Sequence, residues 1–141
     1  MHSKKYYKAI HQIIVTGHWI TDQVGKDLKE YGITEPQFNV LRILKGQKGD
    51  PITVQEIQER MVQRSSNVTR IVDKLLDKQL VLRKECPTNR RKMDITITEK
   101  GLEELQKLDT KVGQFHEQFQ GNLSEEELET LATLIKKLKG E

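Results

Sequence analysis

Between Arg64 and Lys74 the chain gathers Arg64, Ser65, Ser66, Asn67, Thr69, Arg70 and Lys74. Their polar groups suit the surface of a nucleic acid: guanidinium and ammonium groups pair with phosphate oxygens or guanine edges, asparagine with adenine edges, hydroxyls with either. The apolar residues threaded among them, Val68, Ile71, Val72, Leu75 and Leu76, fall at i, i+3, i+4, i+7 and i+8. That is the period of a helix with one buried stripe. At about 100° per residue, the opposite face collects Ser66, Asn67, Thr69, Arg70, Asp73 and Lys74. A helix with aliphatics on one side and Asn, Thr and Arg near its start has the build of one that reads a major groove. The same pattern also fits a plain solvated helix face. A second cationic group, Arg90, Arg91 and Lys92, follows closely in sequence.

The surrounding elements are those needed to hold these groups. Ser65 is the expected N-cap of the reading helix, its hydroxyl accepting from the free amides of the first turn. The helical pattern stops at Asp77-Lys78-Gln79. Leu80 to Cys86 then has strand-like composition, and Pro87 to Lys92 reads as the turn. Met93 to Thr98 alternates apolar and polar, the period of a half-buried strand. The expectation is a hairpin that carries three cations at its tip and directly follows the helix. Its tip can reach an adjacent minor groove, whose potential attracts arginine.

Upstream, residues 4–30 read as one long helix with Tyr6, Ile10, Ile13, Gly17, Ile20 and Val24 along a seam, ending at Gly32. Thr34 and Gln37 have capping-box spacing and open a helix with Phe38, Leu41 and Leu44 inward. Gly46 to Pro51 is a loop, and Ile52 forms a short strand pairing with the hairpin. Thr53 to Glu56 is another capping box, starting a helix with Val54, Ile57 and Met61 inward, so that helix, turn and helix have the lengths of a DNA-binding motif. Thr98 to Gly101 starts a second long helix with Leu105, Leu108, Val112, Phe115 and Phe119 on one side, ending at Gly121-Asn122. Ser124 to Glu127 caps a last helix carrying Leu128, Leu131, Leu134, Ile135 and Leu138.

These elements define a mainly α fold, a winged helix-turn-helix with a small antiparallel β wing, in a single domain over residues 1–141. Residues 33–101 form the winged-helix lobe. Residues 1–32 and 102–141 supply terminal helices whose apolar seams a single copy would leave in water. Burying them against a second copy in a two-fold dimer is the expected solution.

Charge is divided unevenly. From Arg60 to Lys92 ten cations stand against three anions, a balance of +7, which leaves −4 for the remainder of a chain whose net charge is +3. Such a concentration is the electrostatic footprint of nucleic-acid binding. The 141 residues, 32% charged and 35% hydrophobic, suffice for a real core. No apolar run reaches the length of a membrane span, and Met1 to Tyr6 lacks the hydrophobic segment of a signal peptide, so the expected location is the cytoplasm. No nucleophile-base pattern or phosphate loop appears, so no catalytic residue and no cofactor are expected. His18 and Asp22 lie one helical turn apart without a third ligand at fitting spacing, so no metal site is expected. Cys86, the single thiol, has Arg83 and Lys84 nearby to favour a thiolate, yet reads as a small inert residue. Trp19, Tyr31 and Phe38 are candidates to line a pocket for an aromatic acid or phenol between the terminal helices and the lobe.

In this order of elements the chain resembles the MarR (multiple antibiotic resistance regulator) family over nearly its whole length. Val68-Thr69-Arg70-Ile71-Val72-Asp73-Lys74-Leu75 is similar to that family's recognition helix. Asn89-Arg90-Arg91 and Ile97-Thr98-Glu99-Lys100-Gly101 are similar to its wing signature, with Asn89 in place of the usual aspartate. Asparagine offers only a neutral hydrogen bond where aspartate offers a charged one. The resemblance implies a homodimeric transcriptional repressor of palindromic operator DNA, released by a small, often aromatic, ligand. It implies that Ser66, Asn67, Thr69 and Arg70 face the major groove and that Arg91 enters the minor groove with Arg90 beside it. The alternatives are a regulator gated by oxidation or by a metal, and a winged-helix protein-interaction module that does not bind DNA.

Overall fold

The computed structural model describes residues 3–141. Six α-helices and a three-stranded sheet follow in the order α1 (Lys4–Lys29), α2 (Glu35–Gly46), β1 (Ile52–Thr53), α3 (Val54–Arg60), α4 (Val68–Asp77), β2 (Val81–Cys86), β3 (Asn89–Ile97), α5 (Glu99–Glu117) and α6 (Glu125–Leu138), with a short 3-10 turn at Gln120–Asn122 before α6. The architecture is mainly helical with a small antiparallel sheet. No helix among the described residues is long and apolar enough to cross a membrane.

Side chains set the helix starts. Thr34 accepts from Gln37 N while Gln37 Oε1 accepts from Thr34 N, a reciprocal pair that satisfies two otherwise orphaned amides. Ser124 and Glu127 do the same at α6. At α3, Thr53 accepts from Glu56 N, but the Glu56 carboxylate takes the Thr53 hydroxyl rather than an amide. Thr98 caps α5 by accepting from Gly101 N. A Cβ at Gly101 would lie 2.2 Å from the Leu80 carbonyl oxygen, so only glycine lets α5 start this close to the sheet. Gly32, at φ +69, takes the left-handed turn that ends α1.

The helix-turn-helix departs from expectation at its second cap. The reading helix starts at Val68, and its N-cap is Asn67, whose side chain accepts from Arg70 N at 3.2 Å. Ser65 belongs instead to the preceding turn. Gln58 Nε2 donates to the Arg64 carbonyl at 2.7 Å, and Ser66 N donates to Gln63 O, so the chain is not free to enter the helix at residue 65.

The wing also differs. The turn is Pro87-Thr88 alone, and the cations lie at the start of β3. Cys86 faces Asn89, but Glu85 already faces Met93, so Arg90, Arg91 and Lys92 fall in a register shift with no opposite residue. Such a bulge re-aims side chains. β1 pairs with β3 through Ile52↔Ile95 and Thr53↔Asp94, giving the sheet order β1-β3-β2.

The core joins α2, α4 and α5 beneath the sheet through Leu41, Leu44, Val72, Leu75, Ile95, Leu105 and Leu108, all at most 2% exposed. Burying each such side chain contributes about 1.5–3 kcal/mol. The terminal helices behave otherwise. On α1 only Asp27 and Leu28 are buried, and on α6 nothing is. Ile14 remains 53% exposed and Leu134 56%. Trp19 of α1 meets Phe115 and Phe119 edge-on, with ring centroids 5.4 and 4.8 Å away.

Candidate nucleic-acid interface

The amphipathic pattern of α4 puts Val68, Val72 and Leu75 in the core and leaves Thr69, Arg70, Asp73 and Lys74 exposed on the opposite side. Asn67 is exposed at its leading end, but its Oδ1 is engaged by the Arg70 amide, so its NH2 group alone is available to an outside acceptor. Ser66 is half-buried beside the α1–α2 junction rather than fully outward. Arg64 and Ser65 are exposed in the turn before the helix.

The hairpin is fastened to α4 by a contact that the sequence pattern did not disclose. Arg83 Nη1 of β2 donates to Asp73 Oδ1 of α4 at 2.8 Å. Asp73 and Asp77 are the two anions on the exposed side of α4, and Arg83 offsets Asp73.

The ten cations of the basic segment divide into two groups. Arg60 donates to Gln47 Oε1, Lys78 Nζ to the Gly32 carbonyl and Gln37 Oε1, and Arg83 to Asp73. These three brace the fold. The other seven, Arg64, Arg70, Lys74, Lys84, Arg90, Arg91 and Lys92, are exposed and make no side-chain hydrogen bond or ion pair with any described residue. Unpaired cations spread over α4, the turn before it and the wing can each neutralise a phosphate. At the wing tip Asn89 Oδ1 accepts from the Arg91 amide at 3.0 Å, closing the turn on the backbone and leaving both guanidinium groups outward.

The three aromatic candidates for a ligand pocket are not brought together. Phe38 is buried against the core, with Arg42 above its ring. Trp19 belongs to the α1–α5 aromatic cluster. Tyr31 borders a separate polar groove along α5 with Glu103 and Lys107. Helical spacing did not tell which way each ring points, and they point into different surroundings. Cys86 is half-buried beside Thr88, Sγ to Oγ1 3.3 Å. The Thr88 hydroxyl, and then the Thr88 amide, hold its thiol below the usual range, so Arg83 and Lys84 are not the cause. Among the described residues no three His, Cys, Asp or Glu side chains are placed to hold a metal ion.

The sequence pattern of the MarR family matches residues 33–93, the lobe that carries α2 through most of β3. The HTH-type transcriptional regulator MhqR of Bacillus subtilis is 32% identical over 119 residues, spanning 84% of this chain and 81% of that protein. Among solved structures, AbsC, a MarR family transcriptional regulator from Streptomyces coelicolor, superposes with a TM-score of 0.84 over 100% of this chain and 99% of its own, at 23% identity. A mutant MarR from Escherichia coli complexed with operator DNA superposes with a TM-score of 0.79 over 95% of each chain, at 25% identity.

Proposed function

This chain belongs to the MarR family of transcriptional regulators, and from that premise we propose that it works as a homodimer that reads palindromic operator DNA and represses transcription until a small aromatic ligand releases it. The observation that carries the DNA reading is the set of seven exposed, unpaired cations on α4, the turn before it and the wing. A winged-helix protein-interaction module would have no need to leave that many cations unpaired on one segment.

In this reading α4 lies in the major groove. Arg70 and Thr69 reach base edges, the Asn67 amide reaches a base or a phosphate, and Arg64, Ser65, Ser66 and Lys74 contact the backbone. Arg91, with Arg90, enters the neighbouring minor groove. The exposed apolar residues of α1 and α6, among them Tyr7, Ile14, Leu131 and Leu134, support the dimer, because exposed apolar side chains grouped on helix faces mark surfaces that associate. Two copies related by a two-fold axis present two α4 helices to half-sites about one turn of duplex apart. Cys86 stands alone without a resolving thiol, which favours ligand release over oxidation as the signal.

Titration of fluorescent duplexes over a range of salt tests the DNA reading. Affinity should fall steeply and linearly on a log-log plot, with a slope near −0.9 for each phosphate neutralised. Analytical ultracentrifugation tests the dimer: about twice the chain mass is expected, and Leu131→Asp should dissociate it, since burying an unpaired charge costs several kcal/mol.

A further inference from the structure

Beside the leading end of α4 lies a cavity of about 400 Å³, between α1, α2 and the segment joining α3 to α4. Its wall is largely apolar, formed by Val24, Pro36, Phe38, Met61 and Val62. Val62 is 86% exposed, an unusual state for an aliphatic side chain beside an apolar hollow. Charge enters at two places. Arg42 sets its guanidinium 5.4 Å from the Phe38 ring centroid, a favourable cation–π arrangement that already occupies one face of the ring.

At the other place stands Glu35, half-buried at the first turn of α2. A Cβ at Gly25 would lie 3.3 Å from Glu35 Oε1, so the carboxyl group rests against α1 at a position that has no side chain. Asp22 lies three residues earlier on α1, on the same side of the helix. Burial first, and the Asp22 carboxylate second, push the Glu35 carboxyl up from its ordinary range. Among the described residues no cation makes an ion pair with either carboxylate. In the cavity wall Glu35 and Arg42 are the ionisable groups, and Asp22 of α1 acts on Glu35 from outside the wall. The α3–α4 segment brings Met61, Val62, Gln63 and Ser66 to the wall, none of them ionisable.

We propose that this cavity takes a flat aromatic ligand carrying a cationic nitrogen, with its ring against Phe38, Val24 and Met61 and its charge beside Glu35, where the nearby Asp22 adds negative potential. The proposal rests on the reading of a ligand-released regulator and names the charge of the ligand. A partly desolvated carboxylate without a counterion gains more from an incoming cation than the water-exposed, ring-stacked Arg42 gains from an anion. The site is placed to act on DNA binding. Ser66, in the cavity wall, directly precedes Asn67, the cap on which α4 starts. A ligand that displaces the α3–α4 segment therefore displaces the start of the reading helix.

The test compares 2-naphthamidine with 2-naphthoate, which share a ring system and carry opposite charge, by calorimetric titration of the DNA-free dimer. The amidine should bind about tenfold tighter or more, and Glu35→Gln should remove about tenfold of its affinity while leaving naphthoate no weaker. Acidifying should weaken the amidine with the wild type, as Glu35, held above its ordinary range, takes up a proton before an unperturbed glutamate would, and not with Glu35→Gln. Thermal melting and Asp22→Asn, a second change at the exposed member of the pair, control for misfolding. Tighter binding of naphthoate, amidine binding indifferent to both changes, or no binding of either compound would overturn the proposal. Operator titrations with the amidine, alongside a DNA-only control, separate it from the release reading. If the amidine binds through Glu35 and operator affinity is unchanged, release fails and the charge assignment stands. If other compounds release the operator and neither naphthalene binds, release stands and this site fails.

Discussion

Arg83 of β2 and Asp73 of α4, ten positions apart in sequence, meet at 2.8 Å and tie the wing to the reading helix. The pair is partly exposed, with side chains 38% and 54% accessible, so its worth to the fold is modest, at most about 1 kcal/mol. Its consequence lies on the DNA face. Arg83→Ala should change the denaturation midpoint little and weaken operator binding, because it frees both the wing and a carboxylate facing phosphates. Asp73→Asn in the same chain should restore part of the loss. A double-mutant cycle on operator affinity checks this, and additive effects would show the two residues acting independently.

Asn67 caps α4, and in the proposed reading its amide also faces the groove. Asn67→Ala should cost about 1 kcal/mol of stability through the lost cap. Asn67→Ser should keep the cap and most of that stability while still losing operator affinity. Chemical denaturation run beside DNA titration separates the two effects. A Ser variant that binds operator as well as the wild type would reduce Asn67 to a structural role.

Gln79 sits at φ +63 just past the end of α4, with its amide bonded to Leu76 O and the Leu80 amide to Leu75 O. That backbone position normally favours glycine. Gln79→Gly should raise stability by about 0.5–1 kcal/mol, the relief of left-handed strain exceeding the added freedom of the unfolded chain. The melting temperature reads this directly, and a fall would show that the Gln79 side chain contributes more than the strain costs.

Arg90 and Arg91 project from the register shift in β3. Either change to Ala should lower affinity for operator and random duplex alike and flatten the salt slope by about one unit. Loss with Arg90→Ala alone would mean that the turn closed by Asn89 has exchanged the roles of the two arginines. No effect from either would place the wing away from DNA.

What was legible in the sequence was local. The caps at Thr34, Thr98 and Ser124 depend on groups three residues away, so spacing alone locates them. The period of α4 reveals its buried stripe for the same reason. Ser65 was the wrong cap because the choice between it and Asn67 is made by Gln58, a residue of the preceding helix that holds Arg64 O. A Pro/Asn-rich run reads as a turn through Lys92, because it does not show that Asn89 accepts from the Arg91 amide and that β3 begins at once. Non-local partners leave no mark in the sequence: nothing in the spacing of Arg83 and Asp73, ten positions apart, shows that they pair. The aromatic trio dispersed because sequence spacing gives a ring's position along a helix and not the neighbour it faces.

The central claim, that α4 reads bases while the cations around it hold phosphates, is tested most directly by selecting preferred duplexes from a random pool and then titrating Arg70→Ala against the selected site and a random duplex. The expected site is a palindrome with half-sites about 10–10.5 base pairs apart or a multiple of that spacing. Arg70→Ala should lose about 1–3 kcal/mol on that site and distinctly less on random DNA. A pool that yields no preferred sequence, or an Arg70→Ala protein that loses affinity equally on both duplexes, would contradict base reading by α4.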